Sequence, residues 1–185
     1  KNQFTVSLST LEASMNLHSE LLDLQKDFYH SAFDLADKNT TKAYIFGSEK
    51  DKVKTQKFVE FLNQHQIDVF VNEKEFTADG KTFYPASSFI VPLKQKQFRL
   101  IKSIFEEVTS FTDTTFYDVS TWTFTHAFDL QYAKLVSTKN IGISKNRVSA
   151  TNINGKIIGR KSTLGYLFGW NEFSAAKALY KFQDA

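Results

Sequence analysis

The segment from Lys42 to Val71 constrains the fold more than any other part of the chain. Lys42 to Phe46 (KAYIF) is a short apolar, β-rich run of the kind that suits a buried parallel strand. Gly47-Ser48 supplies a turn, and Asp51 to His65 then follows a helical period with Val53, Phe58, Phe61 and Leu62 on its inner face. Ile67 to Val71 (IDVFV) ends the unit as a second strand. Strand, helix and strand at this spacing predict a right-handed parallel crossover.

Ahead of this unit, apolar residues recur at Leu11, Met15, Leu22, Leu24, Phe28, Ala32, Phe33 and Leu35, close to the 3.6-residue period of a long amphipathic helix. Ser9 or Thr10 offers the N-cap and Asp37-Lys38-Asn39 a stop. Residues 1–40 are therefore expected to be an N-terminal helical segment that packs on this domain or on a further, upstream one. Residues 41–185 are expected to be an α/β domain.

Beyond the crossover, Asp79-Gly80 is a hairpin signal between Phe76 and Phe83. Ser88 to Val91 reads as a strand, Lys94 to Glu107 as a helix and Leu130 to Val136 as an alternating strand. Asp113 to His126 is less regular, and short strands are expected around Ile141-Ile143 and Ile157-Ile158. Tyr44-Ile45-Phe46-Gly47 before a helix returns as Tyr166-Leu167-Phe168-Gly169 before Asn171 to Phe182, also helical in pattern. The pair suggests a doubly wound sheet, with an internal duplication as one explanation. On that reading the next strand would begin at Ala185, and the domain is expected to continue past it.

The 185 residues are 42% apolar and 23% charged, an ordinary globular composition. The 19 Phe make the core aromatic. A net charge of +3 with dispersed basic residues argues for no nucleic acid partner, and no apolar run reaches membrane-spanning length. With no cysteine, the chain has no disulfide, thiolate ligand or cysteine nucleophile.

Motifs for chemistry are absent: no H-E-x-x-H, G-x-S-x-G, G-x-G-x-x-G or Walker A sequence occurs. His65…Asp68 and His126…Asp129 share an H-x-x-D form, but His65 falls at a predicted helix end and Asp68 in the next strand, which limits their convergence on a metal. Ser48 stands where a hydrolase serine would, without the flanking glycines, and reads as a helix cap. Gly159-Arg160-Lys161-Ser162 reads as a basic turn, Glu73/Glu75 and Glu106-Glu107 as solvated faces, and Asn39-Thr40-Thr41 is a glycosylation sequon.

One stretch is distinctive. Gly80-Lys81-Thr82-Phe83-Tyr84-Pro85-Ala86-Ser87-Ser88 is followed by Gln97-Phe98-Arg99 and then by Tyr117-Asp118-Val119-Ser120-Thr121-Trp122. This order resembles the region downstream of the catalytic domain in large bacterial carboxypeptidase A-like zinc metallopeptidases. There, a G-x-x-Y-P-A-G-S strand, a Q-P-Y-R helix start and a Y-D-V-S-x-W turn recur in that order. Ser87 stands in place of the family's glycine, and Gln97-Phe98-Arg99 lacks its proline.

The resemblance implies a flavodoxin-like, class I glutamine amidotransferase-like layered sheet with flanking helices. It also implies an upstream peptidase domain that carries the zinc, so this chain would hold no cofactor, catalytic residue or metal ligand of its own. Without cysteine, amidotransferase chemistry is excluded. The expected role is a non-catalytic accessory domain of an exported, periplasmic or secreted, zinc carboxypeptidase-like protein, with the upstream peptidase domain as partner. The alternative is a peptide- or glycan-binding module. Tyr117, Trp122 and Trp170 are the candidate binding or interdomain residues for these readings.

Overall fold

The computed structural model describes residues 2–85, 87–107, 123–139, 141–149, 155 and 157–183. Two consecutive helices, α1 (Asn2–Asn16) and α2 (His18–Lys38), open the chain. Leu17 N–H still donates to the Ala13 carbonyl, and Leu21 N–H to Leu17, each at 2.9 Å. The helical ladder thus passes across Leu17 despite its φ of −107° and ψ of 20°. The helix begins well before Ser9, because Ser7, Thr10 and Ser14 turn their hydroxyls onto the carbonyls four residues back and do not act as caps.

The rest mixes strands and helices: β1 (Ala43–Gly47), α3 (Lys52–Gln64), β2 (Phe70–Asn72), β3 (Phe76–Ala78), β4 (Lys81–Phe83), β5 (Ser88–Pro92), α4 (Phe98–Phe105), α5 (Phe124–Ala127), β6 (Gln131–Leu135), β7 (Ile143–Arg147) and α6 (Ala175–Gln183). Five strands form one sheet in the order β6-β1-β5-β2-β7, and β3 and β4 form a separate hairpin. Phe76 pairs with Phe83 across Asp79-Gly80, where both turn residues have positive φ, as the Asp-Gly signal requires.

The α/β class stands, but the parallel sheet does not. Every pairing among the described strands is antiparallel. β1 and β2, joined by α3, do run in the same direction, since each is antiparallel to β5. They are not neighbours: β5 lies between them and splits the crossover. An apolar run such as KAYIF reports burial on both faces of a strand and is silent on its neighbours' direction, so a central antiparallel strand satisfies it equally well.

Both faces are covered, by different layers. Tyr44, Phe46, Phe89, Val91 and Tyr132 join the helices' Ala32, Ala36, Phe58, Leu62, Ile101 and Phe105 in one buried cluster. Ala43, Ile45, Ile90, Ala133 and Leu135 face the hairpin's Phe83 and Phe76 in a second cluster. The order is helices, five-stranded sheet, hairpin, where a doubly wound sheet would carry helices on both sides. The phenylalanines fill the helix side: Phe46, Phe58 and Phe105 meet at centroid distances of 4.9 to 5.9 Å.

The repeat is not structural. Tyr166–Gly169 matches β1 in sequence yet forms no strand, and Tyr166, Leu167 and Phe168 are exposed. Ile157 and Ile158 are likewise exposed and outside any strand. Both segments have the residue types of a strand but pair with no strand among the described residues.

Candidate functional site

The most elaborate polar surface lies at the carboxyl end of β1. Antiparallel pairing brings three strand ends together there: Gly47 sits opposite Ser88 of β5 and Gln131 of β6. The approach is close enough that a Cβ on Gly47 would run into the Ser87 carbonyl oxygen, so glycine is required.

The chain then turns through Ser48–Asp51 into α3. Asp51, buried, is the N-cap: its Oδ1 accepts from Lys54 N–H at 2.8 Å. Its Oδ2 accepts from Phe173 N–H at 2.6 Å, which ties the segment before α6 to the head of α3. Ser48, expected to be the helix cap, instead accepts from Asp51 N–H at 3.2 Å in the turn ahead of α3, and the N-cap is Asp51. Lys54 pairs with Asp129 at 3.1 Å, and Gln131 donates its amide N–H to the Thr82 carbonyl at 2.8 Å.

Together these elements surround a cleft of about 610 Å³, a size typical of small-ligand sites. Tyr84 and Asn171 complete its wall. The sequence singled out Ser48 as a cap and Asp129 in an H-x-x-D pair, and neither for a cleft, because four separate segments contribute the lining. The one local signal was the Gly47-Ser48 turn between strand and helix.

Of the three aromatic candidates, Tyr117 and Trp122 lie outside the described residues. Trp170 is 65% exposed and directly precedes Asn171 of the cleft wall. Its ring is 6.5 Å from that of Phe168, which in turn is 6.4 Å from Phe182, giving a small exposed aromatic cluster.

A second polar cluster lies where α4 and α5 meet β6. His126 Nε2 and Glu107 Oε1 are 2.7 Å apart on the surface. Glu107 is held below the ordinary carboxylate range, first by a hydrogen bond from the Tyr132 hydroxyl and then by His126. Burial, followed by Glu107, pushes Tyr132 up. Burial also pushes Tyr44 up to about 12, with Glu106 adding to it. The Tyr44 hydroxyl is buried without a hydrogen-bond partner among the described residues. This cluster brings an acid, an imidazole and two phenols into one region but no nucleophile.

The H-x-x-D pairs do not assemble. His65 is the C-cap of α3 and stacks edge-on against Phe61, while Asp68 pairs with Arg147 at 2.9 Å. His126 turns to Glu107 and Asp129 to Lys54. No group of three or more His, Asp or Glu among the described residues could hold a metal ion. Ser162, of the basic turn, accepts from the N–H groups of Leu164 and Gly165, as in an ordinary hydroxyl turn.

No helix among the described residues is long and apolar enough to cross a membrane. In comparisons with known proteins, no family, no curated protein and no solved structure matches this chain.

Proposed function

We propose that this chain is a non-catalytic accessory domain of an exported zinc carboxypeptidase-like protein, and that α1 and the first half of α2 form its docking face for the peptidase domain. One observation carries this reading. None of the residues of α1 is buried, although Phe4, Val6, Leu8, Leu11 and Met15 are apolar and Glu12 is the helix's one charged side chain. Leu21, Leu22 and Leu24 extend the exposed apolar surface into α2.

An isolated helix of this length is marginal in water, and its stability ordinarily comes from packing an apolar face. A nearly uncharged helix with exposed leucines therefore suits an apolar protein surface better than an ionic partner. The peptidase as that partner, and export, rest on the motif resemblance at Gly80–Ser88, Gln97–Arg99 and Tyr117–Trp122. The flavodoxin-like form of the sheet belongs to the same resemblance, and the antiparallel pairings weigh against it.

The test is zinc content and C-terminal peptide hydrolysis, measured on this chain and on the parent protein with its peptidase domain. Zinc and turnover are expected in the parent and neither in this chain. Zinc or turnover in the chain alone, or neither in the parent, would overturn the proposal.

A further inference from the structure

The geometry points to the outer edge of β6 as a pairing surface for β6 of a second copy of this chain, held shut by Asp79 and Lys81 of the β3–β4 hairpin. This stands apart from the docking face of α1 and does not depend on it.

β6 ends the five-stranded sheet, and the register fixes which of its backbone groups look outward. Leu93 N–H donates to the Lys42 carbonyl at 2.8 Å, so Lys42 turns its carbonyl toward β5, and by strand alternation Tyr44 and Phe46 do the same. Their partners across the β1–β6 ladder, Lys134 and Tyr132, therefore turn their N–H and C=O groups away from β1, to the open side. Two of these four outward groups are already taken. Asp79 Oδ2 accepts from Lys134 N–H at 3.2 Å, and Lys81 Nζ donates to the Tyr132 carbonyl at 3.0 Å. Tyr132 N–H and the Lys134 carbonyl have no partner among the described residues.

An unpaired row of this kind is a template for another strand, and side chains that occupy it block the addition. The opposite edge of the sheet is spoiled in a different way. At β7 the register shifts between Phe70 and Asn72, Ser144 Oγ accepts from Val71 N–H at 3.0 Å, and Lys145 and Arg147 are exposed. β6 has no such break, since all its residues pair with β1 in unbroken register. Its protection rests on the two hairpin side chains.

The edge is complementary to itself, which names its occupant. Antiparallel pairing about a two-fold axis at Ala133 sets Tyr132 opposite Lys134 of the second copy, and Lys134 opposite Tyr132 of the second copy. Those two pairs use every outward N–H and C=O on both strands. Gln131 then lies across from Leu135, and no like charges are opposed. A strand pair this short makes a weak interface, so two side chains suffice to suppress it.

The experiment follows sedimentation velocity and amide exchange in Asp79→Gly/Lys81→Thr. Every chain compared carries Leu11→Ser, which holds down association through α1. Glycine keeps the positive φ, 50°, of position 79. The double variant is expected to self-associate about tenfold more tightly than the chain with its hairpin intact. The Tyr132 N–H should become protected as concentration rises. Lys81→Thr alone, which leaves the turn untouched, should show a smaller rise in the same direction, and Asp79→Asn, which keeps an acceptor for Lys134, almost none. Unchanged association in the double variant or in Lys81→Thr, or association without protection at Tyr132, would overturn the proposal.

Discussion

Tyr44 sits in β1, an interior strand of the sheet, with its ring stacked on Phe105 at 4.5 Å and its hydroxyl buried without a partner among the described residues. A buried hydroxyl that makes no bond carries a desolvation cost and returns nothing. Tyr44→Phe is therefore expected to leave stability unchanged or raise it by up to about 1 kcal/mol in urea denaturation. The pH dependence follows from the same burial. The folded value, about 12, lies above the ordinary 10.0, so folding favours the protonated phenol. That contribution is complete below the unfolded value and is lost as pH rises from there through the folded value. Stability should fall across this alkaline window and fall less steeply in Tyr44→Phe, with Tyr132 supplying the remaining slope in the same direction. An identical slope in both proteins would mean that the Tyr44 hydroxyl is solvated. None of this was legible in the sequence: KAYIF marks Tyr44 as buried, but whether a hydroxyl finds a partner depends on what α4 and α5 bring to it.

At the scale of elements, local pattern was read well and partnership was not. The hairpin at Asp79-Gly80, strand β6 and helices α3 and α4 fall within the segments expected, and β5 overruns its own by Pro92 alone, because turn chemistry and apolar period are local properties. The insertion of β5 between β1 and β2 is a contact between segments distant in sequence, and neither segment's pattern encodes it. The same holds for Asp51. The sequence pattern offered Ser48 as the cap, so neither the N-cap role of Asp51 nor its second bond, to Phe173 across 122 positions, is visible outside the fold. This double role yields a test by hydrogen exchange. Asp51→Ala should lose about 0.5–2 kcal/mol from the missing cap and release the segment from Phe173 through α6, where Ala175 is the one buried residue. Asp51→Asn has a single acceptor oxygen for two N–H groups, so it should keep only one of the two bonds and show intermediate protection. Unchanged exchange across 173–183 in Asp51→Ala would show that Phe173 is held by something else.

For the whole molecule, the main imbalance is between a densely packed sheet core and a long helix that buries nothing over its first fifteen residues. The sequence revealed the helix and its apolar stripe, yet a stripe looks the same whether it faces its own domain or another. Here only Ala32 and Ala36, far down α2, enter the core, helped by Arg99, which stacks 4.4 Å from the Phe28 ring and donates to its carbonyl at 2.6 Å. Leu11, 63% exposed, should therefore contribute almost nothing to the stability of the folded domain. Leu11→Ser is expected to change unfolding free energy by no more than about 0.5 kcal/mol, the range of ordinary surface substitutions. Phe58→Ala in the core should cost about 3–5 kcal/mol. Leu11→Ser should nevertheless reduce concentration-dependent association in sedimentation velocity, together with binding of an apolar dye, because the exposed stripe is the surface that seeks a partner. A fall of several degrees in the thermal midpoint of Leu11→Ser would instead place α1 against its own domain in solution, and the docking face would have to be sought among Phe168, Trp170 and Phe182.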